Sequence, residues 1–391
     1  MLHNIRLRYL VGVVFGVVAL SFTGCSKDDY NSVPSTNGNG DTTEPKVDGR
    51  VVTAYCTWYG STLPDPQYVT NINYAFAEVY VAGGVYKGFK LEGQESRFQN
   101  VVNLKKLNPS LKIMISFTHV VENSDNSQGG SFSAIAANAD YRKQFAEDCL
   151  AFIKKWGIDG VDMDWEFPGL SWSGAACDPA NDVANFTLLM RQLRETLGNN
   201  YLLTFAGYVM DKHATTGGYE YIDIAAVMPY VDYVNIMTYD MDAAPKYQSA
   251  LSDPSSYWDC QRAVNAYISA GAPLSKLLLG IPFYGRHAFS DKTINYKDII
   301  NLDKNVYKID NWDTAANVPY VTKNGQMYYS YDNAKSIAIK GAWIIGLGMK
   351  GMCYWDCSGD DGEETLTKAV WNATMQPISH NIFQGEYSPI F

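Results

Sequence analysis

The chain contains no run of Lys or Arg, only 18% of its 391 residues are charged, and its net charge is −10. That balance argues against nucleic acid and against anionic membrane surfaces as partners, since both require a basic patch, and leaves a neutral substrate as the better fit. Histidine is scarce as well. The five His residues, at 3, 119, 213, 287 and 380, are scattered, and the pair Cys353 and Cys357 is followed by no second pair and no nearby His, so neither a metal site nor a cofactor is expected. No Gly-rich phosphate loop follows the first strand-like run, which argues against a doubly wound nucleotide-binding sheet. The apolar stretch from Tyr9 to Phe22 is too short for a comfortable membrane span.

That stretch follows Arg6 and Arg8 and precedes Thr23-Gly24-Cys25, the layout of a secretory signal. The small residues before Cys25 resemble a bacterial lipoprotein cleavage box, with Phe22 where Leu is commoner. Residues 1–24 are therefore expected to be a signal peptide, with Cys25 lipidated and the mature chain held at the outer membrane or cell surface by that anchor alone. Asp28-Asp29 resembles a Bacteroidetes surface-export signal. Residues 25–49, mostly Ser, Asn, Asp, Thr, Gly and Pro, read as a flexible polar tether. The other six cysteines, at 56, 149, 177, 260, 353 and 357, have spacings that do not choose a pairing. Cys56 and Cys149 lie in apolar segments, where buried free thiols are the simplest expectation.

From Arg50 onward, short β-rich apolar runs recur: Val51–Thr57, Ile72–Val79, Lys112–Phe117, Gly160–Glu166, Leu202–Gly207, Tyr233–Thr238, Leu278–Phe283 and Gly351–Trp355. Helical patterns lie between them at Phe98–Leu107, Tyr141–Trp156, Val183–Leu197, Ser256–Ala270 and Ala334–Leu347. This alternation predicts the α/β class and a (β/α)8 TIM barrel over residues 50–376, a fold that needs about 250 residues. A small insertion is expected after the seventh barrel strand, at about 287–332, and residues 377–391 form a tail with no assigned role.

The chemistry concentrates between Ile158 and Gly169, where Asp162, Asp164 and Glu166 occupy every second position, with Val161, Met163, Trp165 and Phe167 between them. Strand side chains alternate faces, so the three acids share one face. An acidic face in water or an oxygen-ligand cation site would also alternate. Acidic residues are poor strand formers, however, and such local conflicts mark functional sites; a calcium loop would be richer in turn-forming spacing. Crowded carboxyls raise the pKa of at least one member, which then holds its proton and can act as a general acid.

In a barrel, the strand carboxyl ends converge on one mouth. They bring Glu166, then Thr238-Tyr239-Asp240, Phe283-Tyr284 and Tyr354-Trp355 together. The chain also holds 28 Tyr, 16 Phe and 9 Trp, whose faces suit sugar rings, with ordinary packing the alternative for any one of them. An aromatic floor, clustered carboxyls and phenol hydroxyls describe a pocket for a sugar whose glycosidic oxygen is to be protonated.

The run Asp159-Gly160-Val161-Asp162-Met163-Asp164-Trp165-Glu166-Phe167-Pro168 resembles the Asp-X-X-Asp-X-Asp-X-Glu signature of glycoside hydrolase family 18, the chitinases and endo-β-N-acetylglucosaminidases. Tyr74-Ala75-Phe76-Ala77, Met237-Thr238-Tyr239-Asp240, Pro282-Phe283-Tyr284-Gly285-Arg286 and Trp355 extend the resemblance over about residues 50 to 376 and toward the chitinase branch. It implies that Glu166 is the acid, that Asp164 orients the sugar's own 2-acetamido group as nucleophile, and that Asp162 shares charge or a proton with Asp164. It further implies that Tyr239 bonds the acetamido oxygen and that Trp355 floors the cleaved sugar. Asp240, Tyr284 and Arg286 become substrate contacts, and Tyr55, Phe76, Phe167 and Met237 pocket lining. Asp159, on the opposite parity, is expected to be structural.

One departure stands out: where the family commonly carries Ser-X-Gly-Gly after the third strand, this chain reads Ser116-Phe117-Thr118-His119, which bulks up that side of the pocket. The Ser-, Asn- and Gly-rich loop 123–132 is expected to reshape the same side. The implied partner is an oligo- or polysaccharide containing N-acetylglucosamine, with cleavage of β-1,4 bonds in chitin or chitooligosaccharides as the leading activity. The alternatives are endoglycosidase action on N-glycan chitobiose cores and a non-catalytic glycan-binding barrel.

Overall fold

The computed structural model describes residues 49–118, 132–170, 176–209, 221–241, 247–288 and 290–375. Cys25, the leader, the tether through residue 48, His119, loop residues 123–131 and the tail 377–391 lie outside them. The strands in chain order are β1 (Val51–Thr57), β2 (Asn71–Ala82), β3 (Val85–Leu91), β4 (Lys112–Thr118), β5 (Gly160–Asp164), β6 (Leu202–Gly207) and β7 (Tyr233–Ile236). There follow β8 (Leu277–Pro282), β9 (Tyr284–His287), β10 (Thr293–Asn295), β11 (Tyr307–Asp313), β12 (Val318–Lys323), β13 (Gln326–Ser330) and β14 (Gly351–Trp355).

Eight of these close into a parallel barrel in the order β1-β2-β4-β5-β6-β7-β8-β14, with β14 returning to β1. A helix follows every barrel strand except β1, and β1, β5, β8 and nearly all of β4 are buried along their length. One side of each strand feeds the outer core, where Val161, Met163, Trp165 and Phe167 pack. The other side fills the barrel, through Tyr55, Ala75, Met114, Tyr233, Leu278 and Cys353. Gly160 is required where β5 meets β6, because a Cβ there would lie 2.1 Å from the Leu202 carbonyl oxygen.

The approach to β5 is set by local sequence. Asn138 caps the helix Ala139–Trp156 by accepting from the backbone N–H of Asp140 and Tyr141, and Gly157, at φ 64°, ends it in the left-handed conformation. Asp159 then receives Lys105 at 2.5 Å, Lys112 at 3.4 Å and the Ile113 N–H at 2.9 Å, which fastens the foot of β5 to its neighbour.

One local expectation is corrected, and the structure adds detail at two other places. β5 ends at Asp164, so Glu166 stands just past the strand rather than on it. β2 runs on to Ala82 and folds back with β3 in an antiparallel hairpin that the barrel pattern did not anticipate. The segment after the seventh barrel strand turns regular already at Tyr284 and forms a five-stranded antiparallel sheet, β10-β9-β13-β12-β11. Its short strands carry register shifts within β11–β12 and β12–β13, which break the alternation that sequence reading relies on.

Candidate active site

Asp162 lies inside the barrel with no exposed surface, and it accepts from four strands at once. Tyr55 Oη (2.9 Å) and Ser116 Oγ (2.7 Å) donate to Oδ2, while Thr204 Oγ1 (2.6 Å) and Asn235 Nδ2 (3.2 Å) donate to Oδ1. Burial pushes the Asp162 pKa up and these bonds pull it down. The four donors together supply the hydrogen bonds that a buried carboxylate loses when it leaves water.

One step along the strand, Asp164 is also buried and is hydrogen-bonded to Glu166. Burial, then the charges of Glu166 and Asp162, drive Asp164 well above the usual carboxylate range. Glu166 is raised to about 7, chiefly by burial and further by the charge of Asp240. Such neighbours titrate as a unit, and that unit retains a proton near neutral pH. It can donate the proton to an oxygen placed above it.

Both acids open onto a cleft of about 480 Å³ lined by Tyr55, Phe76, Thr118, Asp164, Glu166, Phe167, Ala206, Tyr208, Met237, Tyr239, Asp240, Tyr284 and Trp355. Its floor is aromatic: Phe76 stacks on Trp355 with ring centroids 5.6 Å apart, and Tyr55 meets the same indole at 5.5 Å. The peptide bonds Ala75–Phe76, Glu166–Phe167 and Trp355–Asp356 are all cis. Burial keeps the Tyr239 hydroxyl well above its usual pKa, so it remains a neutral donor at the cleft wall. Tyr239 and Tyr284 meet edge to face.

Asp240 adopts φ 53°, which turns its carboxylate to meet Tyr284 Oη at 2.7 Å and Arg286 at 3.2 Å. Arg286 is not among the residues that border the cleft and meets the site at Asp240. The other expected residues, Tyr55, Phe76, Phe167, Met237, Asp240, Tyr284 and Trp355, border the cleft with Asp164, Glu166 and Tyr239. Asp162 stands beneath it.

Sequence reading missed Thr204 and Asn235, which share the inward parity of their strands but have no local mark that sets them apart. It also missed Tyr208, which stacks on Phe167 at 5.7 Å and donates to the Asp240 carbonyl at 2.6 Å. Thr118, noted only as a departure, lines the cleft. Among the described residues, no group of His, Cys, Asp and Glu is arranged to hold a metal ion.

Residues 50–360 match the family described as glycosyl hydrolases family 18. Chitinase A1 of Niallia circulans is 28% identical over 86% of this chain, which spans 60% of that relative's length. Chitinase 1 of Aphanocladium album is 26% identical over 76% of this chain and 77% of its own. Among solved structures, a family 18 N-acetylglucosaminidase from Paenibacillus barengoltzii superposes with a TM-score of 0.70 at 26% identity, covering 83% of this chain and 99% of its own. A group IV chitinase of Ostrinia furnacalis, solved with allosamidin, gives 0.69 at 26% identity over 82% and 97%.

Proposed function

This chain belongs to glycosyl hydrolases family 18 and is a glycosidase of the chitinase-like kind, and on that premise we propose that it cleaves β-1,4 bonds after N-acetylglucosamine in chitin or chitooligosaccharides with retention, through the substrate's own acetamido group. The observation that carries this reading is the Asp164–Glu166 pair, which keeps a proton near pH 7 in the same cleft as an aromatic floor. Glu166 gives its proton to the glycosidic oxygen as the bond to the anomeric carbon breaks, and the acetamido oxygen bonds to that carbon from the opposite side. Asp164 receives the acetamido N–H and steadies the oxazolinium ion, with the charge of Asp162 behind it, while the Tyr239 hydroxyl donates to the acetamido oxygen. Water then opens the ring as Glu166 takes back a proton, and one water is consumed per bond cleaved.

Support for neighbouring-group attack comes from the carboxyls themselves. Three of them border the cleft: Asp164 is drawn toward its protonated, poorly nucleophilic form, Asp240 is engaged by Tyr284 and Arg286, and Glu166 serves as the acid.

A second reading, endoglycosidase action on N-glycan chitobiose cores, draws on Thr118, which fills a cleft position where the family commonly has glycine. Incubation with chitotetraose in one tube and a high-mannose glycoprotein in another, read by product mass, separates the two. Chitobiose products from the first support our reading. Release of the glycan alone replaces it with the second, and turnover of neither leaves a glycan-binding barrel. The Glu166→Gln variant is the control, expected to bind without cleaving. The lipid anchor on Cys25 belongs to the same proposal and is supported by the leader sequence; loss of fatty-acid labelling in Cys25→Ser tests it.

A further inference from the structure

Cys56 sits near the end of β1, and Cys357 lies two residues past the end of β14. These strands are hydrogen-bonded neighbours with Ala54 opposite Tyr354, so the two segments leave the barrel side by side at the mouth. Their sulfurs are 3.3 Å apart. Both sulfurs also approach the Thr62 carbonyl oxygen, at 3.9 and 3.7 Å, and Arg97 reaches Cys56 at 3.6 Å. Cys149 and Cys260 are buried in helices and Cys353 inside the barrel; among the described residues no other two cysteines make a sulfur–sulfur contact.

We propose that Cys56 and Cys357 are a disulfide-forming pair whose cross-link closes the barrel covalently at the seam between its first and last strands. Bringing the sulfurs from 3.3 Å to a bond length of about 2.0 Å requires about 0.6 Å of movement from each, within the reach of side-chain rotation. The oxidation is a two-electron step. Both S–H bonds break, the S–S bond forms, and two electrons with two protons pass to a thiol–disulfide oxidant such as oxidised glutathione, which leaves as two thiols. The compartment fits, because the leader points to export, where disulfides persist.

The pair joins residues 301 apart, and a link across so long a segment restricts the unfolded chain strongly. It also stands at the site. Cys56 follows Tyr55 and Cys357 follows Trp355-Asp356, so the bond holds together the two strand ends whose aromatic rings meet at 5.5 Å on the cleft floor. In the closed fold the contact with Cys56, followed by burial, pushes the Cys357 thiol well above its usual pKa, which disfavours the thiolate that exchange requires. The bond therefore forms as the barrel closes, and once formed it resists small thiols.

The test uses the full chain refolded with a mixture of reduced and oxidised glutathione, then denatured with alkylating reagent and digested without reduction. The expected result is a peptide pair linking Cys56 to Cys357, with Cys149, Cys177, Cys260 and Cys353 recovered alkylated. The oxidised protein should melt several degrees above the same sample unfolded and refolded in dithiothreitol, and Cys357→Ala should melt at one temperature in both conditions. Recovery of Cys56 and Cys357 as separate alkylated peptides, or each joined to another cysteine, overturns the proposal. The peptide map needs only the unaltered chain, so it decides the matter even if the variant does not fold.

Discussion

The Tyr55 hydroxyl donates to Oδ2 of Asp162 at 2.9 Å across the inside of the barrel, tying the first barrel strand to the fourth. Ser116, Thr204 and Asn235 complete the shell from three further strands. A carboxylate held in this way has no freedom to turn, and it fixes a negative charge directly below Asp164. That charge raises the pKa of Asp164, and so helps the Asp164–Glu166 pair hold the proton on which the proposed reaction depends.

Thr204→Val keeps the shape of the side chain and deletes one of the four donors. Leaving a buried carboxylate short of a hydrogen bond should cost about 1–3 kcal/mol of stability and raise the Asp162 pKa further. Urea denaturation of the two proteins measures it. A variant as stable as the parent would show that the shell is not holding a charge.

Activity should fall as pH rises through about 7, where Glu166 gives up its proton. The charge of Asp240 contributes to that raised value, so in Asp240→Asn the ionised form of Glu166 is easier to reach and the alkaline limb of kcat/KM should move to lower pH. A limb that stays in place would remove Glu166 as the titrating group.

The same shift has a consequence for stability. Glu166 is raised from an ordinary 4.5 to about 7 by folding, so its protonated form favours the folded state; that contribution is whole below about 4.5 and is lost as pH rises through about 7. Glu166→Gln cannot ionise. Its melting temperature, compared with the parent by calorimetry, should gain steadily from pH 4.5 to above 7, and a constant difference across that range would contradict the assignment.

Lys340 and Asp332 form an ion pair at 2.8 Å with neither side chain exposed. Lys340 also donates to Ser249, whose hydroxyl donates to the Thr238 carbonyl beside Tyr239. Lys340→Met strands a buried carboxylate and should destabilise by about 3–5 kcal/mol, whereas adding Asp332→Leu should restore much of the loss. Chemical denaturation of the single and double variants checks this; equal losses in both would show that the charges are not the source.

Much of this was written locally. The alternation of Asp162 and Asp164 with Val161 and Met163 announces a strand with acids on one side, and burial of that side inside the barrel follows from the repeating βα pattern. The helix from Ala334 to Leu347 has the bounds its pattern predicts, because Asn333 caps its start and Gly348 ends it. The β2–β3 hairpin was not legible, since its outer strand buries only Tyr86 fully and carries no clean hydrophobic alternation. Nor was the five-stranded sheet, whose bulges scramble the period.

By itself the sequence determined which side chains could do chemistry and on which face of which strand they would stand, because side-chain parity is a property of a few consecutive residues. Only the closed barrel decided what those side chains meet. Tyr55, Ser116, Thr204 and Asn235 converge on Asp162 from 42 to 107 residues away, and Cys56 finds Cys357 301 residues away. Contacts of that kind depend on strand order and register, which are settled by the packing of the whole ring and leave no mark in any single segment.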